Sequence, residues 1–197
     1  MTHFVNMLIA ALYAMLFQNL VLTAAYGVSE SIKIAKRPKH FVMCCVCVLL
    51  FSTVTSVFCN LLEKLSFIAS LGAAFHYLIY AAVLSAVYLA SGYVCVHVLK
   101  ANKKFMNSLG MCAFNSLVLS VPALNFKANH TFWEALGTGI GAAAAFALSV
   151  LLINAGIRYI AKNKNIPEVF KGTPALLVYV AILSMAFSCF SGESFFV

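Results

Sequence analysis

Six apolar runs limit what this chain can become. They extend over Phe4–Ala25, Phe41–Leu61, Leu71–Val98, Phe105–Leu124, Phe132–Ile160 and Pro174–Gly192. A helix needs about 20 predominantly apolar residues to cross a hydrocarbon core about 30 Å thick, and these runs match or exceed that length. The third and fifth are longer than the rest, which predicts tilt or helix continuing past the lipid. Of the 197 residues, 63% are hydrophobic and 9% charged, more apolar surface than a soluble domain can hide. A membrane β-barrel would show short segments of alternating polarity, and none appear. The fold class expected is therefore an all-α membrane protein with six transmembrane helices embedded in the lipid bilayer.

The placement of charge sets the expected orientation. Eleven of the 13 basic residues fall in the odd-numbered loops: Lys33, Lys36, Arg37 and Lys39 in the first, Lys100, Lys103 and Lys104 in the third, and Arg158, Lys162, Lys164 and Lys171 in the fifth. Only Lys64 and Lys127 occupy the even loops. Cytoplasmic loops carry the excess of Lys and Arg, so both termini are expected outside. The net charge of +8 is thus a topology signal, and no nucleic-acid partner is expected. Met1 to Phe4 carry no Lys or Arg and precede a run long enough to span, so this segment reads as a first crossing rather than a cleaved leader.

The chain also repeats itself. Phe17-Gln18-Asn19-Leu20-Val21-Leu22-Thr23 recurs as Phe114-Asn115-Ser116-Leu117-Val118-Leu119-Ser120, and Leu84-Ser85-Ala86-Val87-Tyr88 recurs as Leu183-Ser184-Met185-Ala186-Phe187. The offsets, 97 and 99 residues, are nearly equal, as one duplicated unit requires. The expected division is a three-helix repeat over 1–98 and a second over 99–197, within one membrane domain. An odd number of crossings per unit forces the copies into opposite orientations. Inverted repeats place functional sites at their mid-membrane seam, where half-helices meet.

Gln18-Asn19 and Asn115-Ser116 stand at the same place in the two copies, within runs that are otherwise apolar. Amides in hydrocarbon must be paired, so they mark either helix-to-helix glue or irregular backbone lining a cavity. The symmetry favours the second, and the first and fourth helices are expected to be broken. Pro122 supports a bend late in the fourth span, and Gly27 lies just beyond the first.

Three stretches resemble the RnfA/NqrE group of integral membrane subunits, found in Rnf and Na⁺-translocating NADH:quinone reductase complexes. The first is Asn19-Leu20-Val21-Leu22 followed by Gly27-Val28-Ser29, similar to the family's Asn-x-Val-Leu and Gly-x-Cys. The second is Asn115-Ser116 leading to Ala123-Leu124-Asn125, similar to Asn-Cys and a later Leu-Asn. The third and most specific is Ile157-Arg158, Pro167, Phe170-Lys171-Gly172-Thr173-Pro174 and Ala186-Phe187 through Phe190-Ser191-Gly192. The resemblance implies six helices in inverted halves, an N-terminus outside, a bacterial inner (cytoplasmic) membrane, and a sister RnfE/NqrD-like subunit of opposite orientation. It also implies electron transfer coupled to ion movement, with the chain serving in a translocase complex rather than as an enzyme alone. In the family, one Cys from each half of each sister subunit binds a shared [2Fe-2S] cluster.

At the matching positions this chain has Ser29 and Ser116. Iron–sulfur clusters are held by thiolates, and a serine hydroxyl stays protonated near neutral pH. No [2Fe-2S] cluster of the usual kind is therefore expected on this chain, and no other cofactor or metal. Cys112 lies one helical turn before Ser116, but a shifted cluster would need a second ligand, and no cysteine precedes Cys44. The remaining cysteines read as small apolar residues. Cys44, Cys45 and Cys47 cannot all converge, since neighbouring residues on a helix point about 100° apart.

The expected seam site is Gln18, Asn19, Ser29, Asn115 and Ser116, with no catalytic residue among them. The alternative function is a small-solute or ion transporter or channel on the same scaffold, with these residues lining a polar site. His76 and His97 read as structural residues of the third span, with a proton path as the alternative. Glu134, beside Phe132 and Trp133, reads as an interfacial residue. Gly137, Gly139 and Gly141 read as a packing surface.

Overall fold

The computed structural model describes residues 2–37, 40–69, 72–97, 100 and 103–191. Lys39, the run ends Leu71, Val98 and Gly192, and the expected division at 98/99 lie outside the described residues. Among the described residues every regular element is helical. They are α1 (Thr2–Leu12), a π-helical turn (Tyr13–Phe17), α2 (Val28–Ala35), α3 (Phe41–Glu63), α4 (Ser66–Ala69), α5 (Ala73–His97), α6 (Lys103–Ala113), α7 (Ser116–Lys127), α8 (Phe132–Lys162) and α9 (Thr173–Ser191).

Among the described residues, five helical stretches are long and apolar enough to cross a membrane: Phe41–Glu63, Ala74–His97, Phe105–Lys127, Phe132–Lys162 and Thr173–Phe190. The first expected crossing differs. Its unbroken apolar helix, His3–Phe17, is shorter, and Ala24 and Ala25, which the apolar run includes, stand outside any helix. Lys33, expected in a loop, lies instead in the last turn of α2. The apolar run continues through residues whose backbone turns away, because Asn19 supplies alternative hydrogen-bond partners there.

α8 is the central post, packed against α1, α2, α3, α7 and α9. Its glycines make this possible. A side chain at Gly137 or Gly141 would strike the α1 backbone at Met7 or Ala11, and one at Gly139 would come within 2.8 Å of Thr53 Cα on α3. Small residues let backbones approach in this way, where lipid gives no hydrophobic drive for helices to associate. α5 and α9 are peripheral and turn Leu78, Leu89, Tyr93, Leu177, Ile182 and Met185 outward.

A polar stripe that the apolar runs conceal also descends α3. Ser52, Thr55, Ser56 and Asn60 are all buried, at helical spacing on one face. Ser52 donates to the Gly139 carbonyl (2.9 Å) and Ser56 to that of Ala135 (2.6 Å). Asn125 of α7 is the hub. Its Nδ2 donates to Ser56 Oγ (2.6 Å), and its Oδ1 accepts from Thr138 Oγ1 (2.5 Å). His130 Nδ1 lies 3.0 Å from that same Oδ1. Burial holds the His130 imidazole below its ordinary pKa, against the weaker opposing pull of Glu134.

Candidate functional site

The chain breaks twice. At the first break the helix widens into the π turn, and Gln18 N donates to Tyr13 O across it (2.9 Å). Such π segments recur at functional sites. Asn19 then repairs the interrupted backbone. Its Oδ1 accepts from Val21 N and Leu22 N (both 3.2 Å) and its Nδ2 donates to Met15 O (3.2 Å). Its carbonyl accepts from Thr23 N (2.8 Å) and Thr23 Oγ1 (2.7 Å). Every backbone group freed in an apolar interior needs such a partner. Two residues with positive φ, Ala25 and Gly27, then turn the chain into α2.

The second break is shorter. α6 ends at Ala113 and α7 begins at Ser116. Asn115 is the N-cap, its Oδ1 accepting from Leu117 N (3.0 Å). Asn19 and Asn115 thus do the same job, each accepting the amide hydrogen two residues on. Both are fully buried. The Nδ2 of Asn115 is buried without a hydrogen-bond partner among the described residues.

The two breaks meet. Gly27 N, at the start of α2, donates to Ser116 Oγ, at the start of α7 (2.9 Å). A Cβ on Gly27 would stand 2.6 Å from Asn115 Oδ1. Only glycine satisfies both this approach and the φ of 77° there. Two helix N-termini, each with a partial positive charge, are therefore adjacent.

A cleft of about 540 Å³ opens beside this meeting point, lined in part by Gln18, Thr23, Ser116 and Ser120. Its size falls in the range of small-ligand sites. Of the five residues expected at the seam, Gln18 and Ser116 line this cleft. Asn19 and Asn115 lie in the buried scaffold, where each caps a break. Ser29 is exposed on α2, and its hydroxyl donates to Glu30 Oε2 (3.0 Å). The Ser116 hydroxyl oxygen is already an acceptor for Gly27 N. Two hydroxyls so engaged, with no thiol at either position, do not fit an iron–sulfur cluster.

The thiols gather elsewhere. Cys44 and Cys47, one turn apart on α3, lie close to Cys112 of α6, and all three are buried. Helical spacing excludes convergence of Cys44, Cys45 and Cys47 together, yet two of them approach Cys112. Their shared side on α3 is legible from the spacing; the approach of α6 is not. Among the described residues no group of three or more His, Cys, Asp and Glu is placed to hold a metal ion.

His76 is buried with its ring 4.3 Å from that of Phe126, and His97 is exposed against Tyr93. Glu134 accepts from Thr131 N (2.8 Å) and Thr131 Oγ1 (2.9 Å), closing the N-terminus of α8 as a cap.

Comparison with known proteins joins the chain to membrane subunits. Proteins named as the A subunit of the ion-translocating oxidoreductase complex match over 84 residues, with 39% identity in Proteus mirabilis (strain HI4320) and 36% in Colwellia psychrerythraea (strain 34H / ATCC BAA-681). That stretch is 43% of this chain and 43% of each relative, so the match spans less than half their length. The family model described as Rnf-Nqr subunit, membrane protein, matches residues 7–193. Matched over nearly its whole length, the chain belongs to the Rnf-Nqr family of membrane subunits.

Proposed function

We propose that this chain is an integral membrane subunit of a redox-driven, ion-translocating electron transport complex of the bacterial inner membrane. It crosses the membrane six times as two inverted three-helix repeats, 1–98 and 99–197, with both termini outside. A sister RnfE/NqrD-like subunit of opposite orientation is its partner. The observation that carries the reading is the contact of the two breaks, Gly27 with Asn115 and Ser116. It joins two repeated motifs as an inverted-repeat scaffold requires. Family membership and the relatives' names, which speak of a complex, support it further.

In this reading the copy holds no [2Fe-2S] cluster of its own, because Ser29 and Ser116 stand where thiolates are needed. The cleft at Gln18 and Ser116 is then the polar seam, with Asn19 and Asn115 as its scaffold. The chain contributes to ion movement and assembly, and electrons pass through groups on other subunits.

The test is anaerobic purification of the tagged chain from its own membrane, with identification of the proteins that accompany it. Flavin- and iron–sulfur-bearing subunits are expected. Isolation of the chain alone as an active transporter would contradict the proposal. Visible absorption and EPR of the complex then decide the cluster: a signal lost in Cys112→Ser would show that this chain does hold one. Labelling of engineered terminal cysteines decides the orientation.

A further inference from the structure

We infer that the end of α3 carries a binding site for a small monovalent cation, formed by the Asn60 amide oxygen and the Glu63 carboxylate. The inference rests on the ion-translocating reading above and adds a place where the ion meets the chain.

Asn60 is 5% exposed. Its orientation is fixed, because Nδ2 donates to the His130 carbonyl (2.8 Å). A flipped amide would set oxygen against oxygen. The Oδ1 so positioned is buried and has no hydrogen-bond partner among the described residues. A buried amide oxygen left bare loses about 1–3 kcal/mol, so a donor or a cation is called for.

The space for one is present. A cavity of about 170 Å³ lies against Asn60, with Glu63, Lys64, Asn125 and His130 also on its wall. Glu63 is one turn beyond Asn60 on the same helix face. Its carboxylate is held from the far side by the Tyr80 hydroxyl, which donates to Oε1. This leaves lone pairs of Glu63 free for the cavity, since a carboxylate can accept about four bonds.

Charge selects the class of ion. Hard cations take oxygen ligands, and Ca²⁺ draws on about 6–8 of them, several from carboxylates. Here one carboxylate faces the cavity, offset in part by the exposed Lys64 ammonium. His130 faces it too but is held toward its neutral form by burial. A single positive charge is what this wall can balance. Below the cavity the stripe of Ser56, Thr55 and Ser52 leads inward along α3 toward α8. Thr55 Oγ1 is a second buried oxygen without a partner among the described residues.

The purified full-length chain in detergent at about pH 8 is titrated with NaCl against choline chloride at constant ionic strength, and its thermal midpoint is followed. The midpoint is expected to rise saturably with Na⁺ and not with choline. Glu63→Gln should weaken the apparent affinity about tenfold, and Lys64→Gln, at an exposed position, should tighten it severalfold. Competition by protons should weaken Na⁺ binding at about pH 6. A midpoint that responds equally to both salts overturns the inference, as does a Na⁺ response unchanged in both variants. Absence of redox subunits after purification would instead remove the functional reading while leaving the Na⁺ titration standing, so the two failures are distinguishable.

Discussion

The two breaks solve one problem in unequal ways. The first uses a π turn, ten non-helical residues from Gln18 to Gly27, and two residues with positive φ before α2 begins. The second uses two residues and an N-cap. Both rest on an asparagine whose side-chain oxygen accepts the amide hydrogen two residues on. The difference follows from what comes next. Asn115 opens a 12-residue helix whose own bonds satisfy the backbone, so one cap is enough. Asn19 opens a turn with few internal bonds, and its side chain and carbonyl must receive most of the freed groups. A repeated motif can thus keep its hydrogen-bond logic while its backbone path diverges.

The largest expected effect tests whether the breaks depend on each other. Gly27→Val places a branched side chain at a positive φ and against Asn115 Oδ1. Left-handed strain of about 1–2 kcal/mol and overpacking of about 1–3 kcal/mol should together remove about 4 kcal/mol. The measurement is the denaturation midpoint of the detergent-solubilised chain. Asn115→Ala should restore part of the loss from the milder Gly27→Ala, by clearing the atom that clashes. No rescue would mean that the breaks are energetically separate.

The next test compares the two asparagines directly. Asn19→Leu leaves the buried Val21 amide hydrogen without its acceptor, frees the Met15 carbonyl from Nδ2 and leaves Leu22 N only the Asn19 carbonyl, which should cost about 2 kcal/mol. Asn115→Ala removes a cap and should cost about 1 kcal/mol, since its Nδ2 makes no bond among the described residues that could be lost. Equal losses, or the reverse order, would break the comparison.

The smallest effect lies at the far end of α7, beyond the second break. The folded pKa of His130 is lowered, so above its unfolded value of about 6.5 both states are neutral and stability is unaffected. As pH falls through that value the unfolded chain takes up a proton that the folded chain refuses, and stability declines. His130 is only half-buried, so solvent screening limits the loss to a few tenths of a kcal/mol. Thermal midpoints between about pH 8 and about pH 5 should show this slope, and His130→Gln should flatten it.

Much of the fold was legible because membrane crossings depend on local composition. The second, third, fifth and sixth apolar runs became α3, α5, α8 and α9 with boundaries shifted by a few residues, and the glycines of α8 were readable as a packing face. The first run was expected to break, but its composition did not show where, because apolar residues from Leu20 to Leu22 look the same in a helix as in a buried turn. The site was legible in part. Repetition marked Gln18, Asn19, Asn115 and Ser116, yet nothing in the spacing separated the residues that line the cleft from those that cap the backbone. Ser52, Thr55, Ser56 and Asn60 carried a readable signal, a polar stripe at helical spacing, that the eye passes over in a run of hydrophobic residues.

What the sequence determined by itself was which segments leave water, how its charges are distributed about them, and that one motif occurs twice. Those properties depend on residue type and distance along the chain. The tertiary structure alone decided that Gly27 meets Asn115 and Ser116, that Cys112 lies close to Cys44 and Cys47, and that Asn60, with its bare side-chain oxygen, borders a cavity. Such contacts depend on how helices approach in space, and small residues in α8 set that approach for residues far from them in the chain.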